Sequence, residues 1–305
     1  MKIGLMNRPW KNLSREIDWI GQREFEFVDL ILGPPAADLD EIDAGTVRAA
    51  LEEHDLGVVV QTPSFIPVGS PLAPTRRSAL EELRQCLQVA RQIGAPTLSV
   101  HFAYPDGSFA VSDVVAWHVE TLAPLAEEAA DAEVTILLEN ASHGGHHQLN
   151  YILTVMEQVP RLGFHLSSGH AKLELEYDRF DEYLKRLGHR LQHVQLSDND
   201  GTADQHLPLG CAPRSTVNWP RRIQQLKSSG YDGTITLKVF SPEPEYLHVS
   251  RTLLQKWWNQ ASATTHTGKR NSTWDSGSPV RIQTSQIPPD ECYLDVAANA
   301  PYMDR

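Results

Sequence analysis

A chain of 305 residues with 41% hydrophobic and 22% charged side chains is long enough for one large domain or two small ones, so a scaffold held only by disulfides is unnecessary. Its 27 Lys and Arg against 39 Asp and Glu give a formal charge of −12, which opposes a nucleic-acid partner unless a local basic patch exists. Cys86, Cys211 and Cys292 form no CxxC zinc pair, the N-terminus has no apolar run of signal-peptide length, and no stretch of ~18 apolar residues is present, so a cytoplasmic protein with reduced thiols and no membrane partner is expected.

Along the chain, short runs rich in Val, Ile and Leu alternate with helical patterns. Strands are expected at 2–6, 27–32, 58–61, 97–101, 134–139, 162–166, 191–196 and 234–239. Between them, 78–94 is apolar at Leu80, Leu83, Leu87 and Ala90 and stops at Gly94, as a helix C-cap should. A second long helix is expected at 111–132. Trp219 opens a later one, with Pro220 in its first turn. Runs such as VTILLEN lack polar alternation, which suits strands covered on both faces. Eight strand-then-helix units in about 258 residues predict an α/β fold of the (β/α)8 TIM-barrel type, which typically takes ~250 residues. The competing open, doubly wound sheet calls for a Gly-rich phosphate turn after the first strand, and MNRPWKN has none. The remainder, 259–305, is rich in Ser, Thr, Gly and Pro without periodicity. A barrel at 1–258 and a disordered, dispensable tail at 259–305 are therefore expected. The tail's charges nearly cancel, which leaves almost all of the negative charge on the barrel.

In such a barrel the chemistry sits at the carboxyl ends of the strands. Gln61, His101 and Glu139 end the third, fourth and fifth strands, and Ser167 to His170 follow the sixth. Gln195 lies in the seventh, ahead of Asp198, Asp204 and His206, and Lys238 lies in the eighth. An ionisable side chain in an apolar strand is costly unless paired, so Glu139 and Lys238 stand out, with a salt bridge between them as the plain structural explanation. His101, His170 and His206 come from three separate loops at one rim, which argues for ligand contacts. His165 and His193 are read as packing histidines, out of phase with the site. His143, His146 and His147 are read as a solvated loop rather than a metal site, and Cys211 as an inert loop thiol.

The stretches VTILLEN, LGFHLSSGHAKL, LQHVQLSDNDGTADQHLPLG and YDGTITLKVF resemble the xylose isomerase-like, AP endonuclease family 2 TIM barrels. The resemblance covers most of 1–258 and is strongest after 134. Its most specific stretches run from Asp204 to Gly210 and from Gly230 to Val239. That group includes sugar-phosphate isomerases and epimerases, dehydratases and a DNA-repair endonuclease branch. The resemblance implies a divalent metal held by a Glu ending the fifth strand, an Asp before the GH pair, a His in the seventh strand and a Glu in the eighth. These positions are Glu139, Ser167, Gln195 and Lys238 here, so three of the four ligands are changed. A further endonuclease ligand falls on Gln61, also changed. His101, His170, Asp204 and His206 keep the family's identities, which serve substrate contacts or extra metals. Two like charges ~4 Å apart repel by about 4 kcal/mol at an effective dielectric of ~20, so the Lys238 ammonium opposes the family's ion.

The resulting expectation is an isomerase-type enzyme that takes a small polyhydroxylated carbonyl compound, a sugar or sugar phosphate, and has no metal cofactor. Glu139 would be the general base and Lys238 the fixed cation that stabilises an enolate oxygen. His101, His170, Gln195, Asp204 and His206 would contact the substrate. Self-association is left open. The alternative is a catalytically inactive relative with a ligand-binding or regulatory role. A nuclease is the weakest reading, because the metal ligands and a basic groove are both missing.

Overall fold

The apolar runs become eight parallel strands of four to six residues: β1 (Lys2–Met6), β2 (Phe27–Ile31), β3 (Gly57–Gln61), β4 (Thr97–His101), β5 (Thr135–Glu139), β6 (Gly163–Ser167), β7 (Leu191–Leu196) and β8 (Thr234–Leu237). They pair in chain order and close on themselves, with Ile3 of β1 beside Ile235 of β8. The structure is a computed structural model that describes residues 1–105, 107–142, 148–173, 178–212, 217–241 and 243–261. The eighth strand ends earlier than the expected Val239, yet the Lys238 amide still donates to the Leu196 carbonyl at 3.0 Å. That bond carries Lys238 on the line of the sheet, just beyond its carboxyl edge.

Among the described residues eight α-helices wrap the strands: α1 (Leu13–Gly21), α2 (Ala44–Glu53), α3 (Ala73–Ile93), α4 (Val111–Asp131), α5 (Gln148–Gln158), α6 (Phe180–Leu187), α7 (Trp219–Ser228) and α8 (Glu245–Gln260). Local chemistry sets their ends. Gly94 caps α3 in the left-handed conformation, φ 79°, and its N–H reaches the carbonyls of Ala90 and Arg91. The Asn218 side chain accepts the Arg221 N–H ahead of Pro220 and starts α7. α8 runs on to Gln260, past the expected end at Trp258. The tail beyond Ala261 lies outside the described residues.

Strand side chains alternate between two environments. Val28, Leu30, Val60, Leu98, Val100, Leu138 and Val194 are fully or almost fully buried, in one apolar cluster with helix residues such as Leu83, Leu87, Leu122 and Leu125. The alternate positions face the barrel axis and are largely polar: Asp29, Gln61, Ser99, Glu139, His165, Ser167, His193, Gln195 and Thr236 are each at most 2% exposed. A TIM-barrel lumen is usually filled by branched aliphatic side chains. Here most of it is a hydrogen-bonding network. Phe27 is an apolar exception, and it needs Gly4, where a Cβ would lie 2.5 Å from the Phe27 carbonyl oxygen and 2.6 Å from its ring. No helix among the described residues is long and apolar enough to cross a membrane.

Candidate active site

The deepest charge is Asp29, on β2 with no exposed surface. The Gln61 amide nitrogen donates to both its oxygens, at 2.9 and 2.8 Å, and the Gln195 amide nitrogen donates to Oδ2 at 2.9 Å. His193 Nε2 lies 3.3 Å from the same oxygen, and its Nδ1 meets Thr234 Oγ1 at 2.7 Å. Burial alone would raise the Asp29 pKa. Hydrogen bonds from His193, Gln195 and Thr236, together with the His193 charge, outweigh burial and hold it below the usual carboxylate range. Asp29 is therefore an ionised acceptor inside the barrel.

Glu139 ends β5, also with no exposed surface. Three imidazoles surround it: His101 Nε2 at 3.0 Å from Oε2, His170 Nδ1 at 3.4 Å from Oε1 and His165 Nδ1 at 3.5 Å from Oε2. None is aligned as a hydrogen bond, and neither Glu139 oxygen has a donor among the described residues. Burial pushes the His101 pKa down to about 4, against the pull of Glu139, and Lys238 adds to the lowering. His165 is pushed well below its ordinary value by burial and by the neighbouring positive groups. The His101 and His165 rings are therefore neutral at pH 7. Lys238, 7% exposed, follows β8 directly, and its charge helps to lower His101, His165 and His206 and to hold Asp204 low.

The third group sits on the loop after β7. Asp204 Oδ2 lies 3.1 Å from His170 Nε2 and 3.3 Å from His206 Nε2. His170 Nδ1 is 2.7 Å from the Asn140 carbonyl, so both of its ring nitrogens face oxygens. Asn140 clamps β5 to β6: its Oδ1 accepts the Ser167 N–H at 2.7 Å and its Nδ2 donates to the Ser167 carbonyl at 3.0 Å. Burial would raise the Asp204 pKa, but the His170 bond and the neighbouring positive charges hold it well below the usual range. Burial, helped by Lys238, lowers His206 to about 4. His206 has φ 49°, a left-handed conformation that is uncommon outside glycine and is typical of functional loops. A cavity of about 390 Å³ opens beside this group, walled by Trp10, Trp19, Phe240 and Leu247. The Phe240 ring meets His206 edge-on at 5.0 Å. Glu139 and Lys238 are not in that cavity's walls.

The structure thus brings together Glu139, Lys238, His101, His170, Gln195, Asp204 and His206. Two expectations need correction. Lys238 and Glu139 form no salt bridge, because the near neighbours of Glu139 are histidines. His165 and His193 are not packing residues out of phase with the site. His165 shares its face of β6 with Ser167, and His193 shares its face of β7 with Gln195, since i and i+2 point the same way. Both rings lie in the lumen, 4.5 Å apart and edge-on. Asp29 was absent from the expected site. The signal that singles out Glu139 and Lys238, a charge inside an apolar strand, is equally present in FVDLI. His143, His146 and His147 lie outside the described residues. Cys211 is an exposed free thiol.

A closed eight-stranded parallel barrel with ionisable side chains gathered in its lumen and at its carboxyl-end mouth has the layout of the TIM-barrel enzymes. Residues 17–257 match the xylose isomerase-like TIM barrel family, and the chain belongs to that family. Two uncharacterized proteins of Methanocaldococcus jannaschii are similar in sequence. One is 27% identical over 61% of this chain and 66% of its own length, just under two thirds, and the other is 21% identical over 75% and 90%. Solved structures with the same fold include a D-tagatose 3-epimerase-like protein, with TM-score 0.75 and 23% identity over 86% of this chain and 98% of that one. An L-ribulose 3-epimerase follows, with TM-score 0.68 and 17% identity over 85% and 95%. The 3-keto-D-glucoside 4-epimerase from E. coli has TM-score 0.67 and 17% identity over 84% and 99%.

Proposed function

We propose that this barrel is a sugar isomerase or epimerase that acts on a small polyhydroxylated carbonyl compound without a tightly bound divalent metal. One observation carries the reading: Glu139 is a fully buried carboxylate whose two oxygens are left without hydrogen-bond donors. Such a group is a base without a partner, and a substrate C–H next to a carbonyl supplies the proton it lacks. Glu139 takes that proton, the electron pair moves onto the carbonyl oxygen, and the Lys238 ammonium stabilises the resulting enolate. Glu139 then returns the proton to the neighbouring carbon, or a second acid delivers one to the opposite face. His101, His170, Gln195, Asp204 and His206 hold hydroxyl groups.

The residues at the family's metal position do not fit a divalent ion. Such an ion wants several anionic or imidazole donors. Of those four positions Glu139 alone is a carboxylate, the Gln195 amide is turned onto Asp29, and Lys238 brings a positive charge that bears on Asp204; the imidazoles beside Glu139 come from other positions. Among the described residues no group of three or more His, Cys, Asp or Glu is arranged to hold a metal.

The test is a panel of ketoses and aldoses, assayed after prolonged chelation. Turnover should survive chelation and should fall about 10²–10⁴-fold in Glu139→Gln and in Lys238→Met. A requirement for added manganese or cobalt would refute the metal-free chemistry. The inactive, ligand-binding reading is favoured by one feature, the lack of a Glu139–Lys238 ion pair in the site. It predicts no turnover on any of the sugars and no change in Glu139→Gln beyond stability.

A further inference from the structure

We propose that Asp29 is a positioning residue, which locks the Gln61 and Gln195 amides as acceptors for the hydroxyl groups of a polyol ligand. The inference rests on the sugar-binding reading above and goes one step deeper. A glutamine amide has a donating and an accepting end. An ionised carboxylate only accepts, so each amide that meets Asp29 must present its nitrogen. Gln61 pairs with Ile31, two positions nearer the mouth than Asp29, and its amide reaches down to the carboxylate. Gln195 reaches the same group from β7.

The consequence is at the other end of each amide. Gln61 Oε1 and Gln195 Oε1 are buried without a donor, and so are both Glu139 oxygens and Asp204 Oδ1. Rotating either amide to relieve its oxygen would set that oxygen against Asp29. Among the described residues the lumen and its mouth therefore hold five buried amide and carboxylate oxygens that lack donors, and the complement is a ligand with several O–H groups. A ketone oxygen cannot serve, because it only accepts. The hydroxylated part of the ligand belongs on the two glutamines, and the carbonyl belongs beside Lys238.

The experiment uses the full chain with 15N-labelled glutamine, its side-chain amides assigned through Gln61→Glu and Gln195→Glu. D-tagatose, D-fructose and L-ribulose serve as probes. In the wild type, both amides should exchange slowly with solvent, and both should shift when a ketose is added. Asp29→Asn introduces a donor that lets one amide turn over. Exchange should speed up, and ketose affinity should fall about tenfold in the folded variant. Adding Gln61→Glu to Asp29→Asn should bring affinity back to within about threefold, because the carboxylate introduced on β3 accepts from the amide introduced on β2 and still offers an oxygen to the ligand. Ketose binding with fast-exchanging wild-type amides, or unchanged affinity in Asp29→Asn, overturns the assignment to Asp29 and leaves the sugar reading standing. Failure of the wild type to bind any of the ketoses overturns the hydroxyl assignment and the sugar reading together. The wild-type exchange measurement decides the role of Asp29 even if Asp29→Asn does not fold.

Discussion

A carboxylate with no exposed surface ordinarily carries donors on both oxygens, and leaving such bonds unmade costs on the order of 1–3 kcal/mol for each group. Among the described residues Glu139 carries none, while Asp29, buried just as deeply, meets Gln61, His193, Gln195 and Thr236. On the proposed function, the difference separates a positioning charge from a reactive one. The same proposal accounts for the lysine: with Ser167, Gln195 and Lys238 at the positions where the family resemblance implies a metal, the compensating positive charge would belong to the protein. If that is correct, restoring the family's ligand types reverses it. The triple variant Ser167→Asp, Gln195→His, Lys238→Glu should retain about one manganese per chain after dialysis, measured by elemental analysis, while the wild type retains none. Equal metal content in the two proteins would contradict the substitution of ammonium for ion.

At the scale of elements, most boundaries were legible, because the apolar runs have strand length and are bounded by turn residues. The alternation within a strand was equally available for His165 and His193, yet their side of the sheet follows only when each is counted from a residue known to face the lumen. Ser167 and Gln195 provide that reference once the barrel is closed. β6 adds a register irregularity against β7 between Phe164 and His165, which no sequence pattern shows. Helix ends are a simpler matter. A Cβ added at the left-handed Gly94 would meet nothing within 4 Å, so a substitution there strains only the backbone. Gly94→Ala should lower unfolding stability by about 1 kcal/mol in urea titrations and leave ketose affinity unchanged. A loss of binding would mean that α3 shapes the site.

For the whole molecule, the buried histidines set the response to acid. Burial lowers His118 to about 4, against hydrogen bonds to the carbonyls of Val114 and Ala103, and His101 and His206 are also lowered to about 4. His165 is lowered strongly as well. The unfolded chain takes up protons on these rings near pH 6.5, and the folded chain does not. The unfolded state binds more protons between about pH 6.5 and 4, so stability is fully present above pH 6.5 and is lost as pH falls through that window. His118 alone accounts for about 3 kcal/mol by pH 4, since each tenfold difference in proton affinity between the two states is worth ~1.36 kcal/mol. Asp29 and Asp204, held below their ordinary values, add a further loss at lower pH. Relief of the −12 net charge works the other way, but surface repulsion is screened by salt and the buried rings are not. Urea midpoints should therefore be level above pH 7 and clearly lower at pH 5. Identical midpoints at pH 7.5 and pH 5 would show that these rings are not buried neutral.

The barrel, its eight strands and the residues at its carboxyl-end rim could be read from the linear order alone, because hydrophobic periodicity is a local property and parallel closure in chain order follows from the repeated unit. The partners of each charge could not. Asp29 meets Gln195 from across 166 residues, and Glu139 meets histidines from β4, β6 and the loop after β6 instead of the lysine that the bare sequence offered. Electrostatic pairing depends on distances of a few ångströms between buried groups, and only the closed barrel sets those distances.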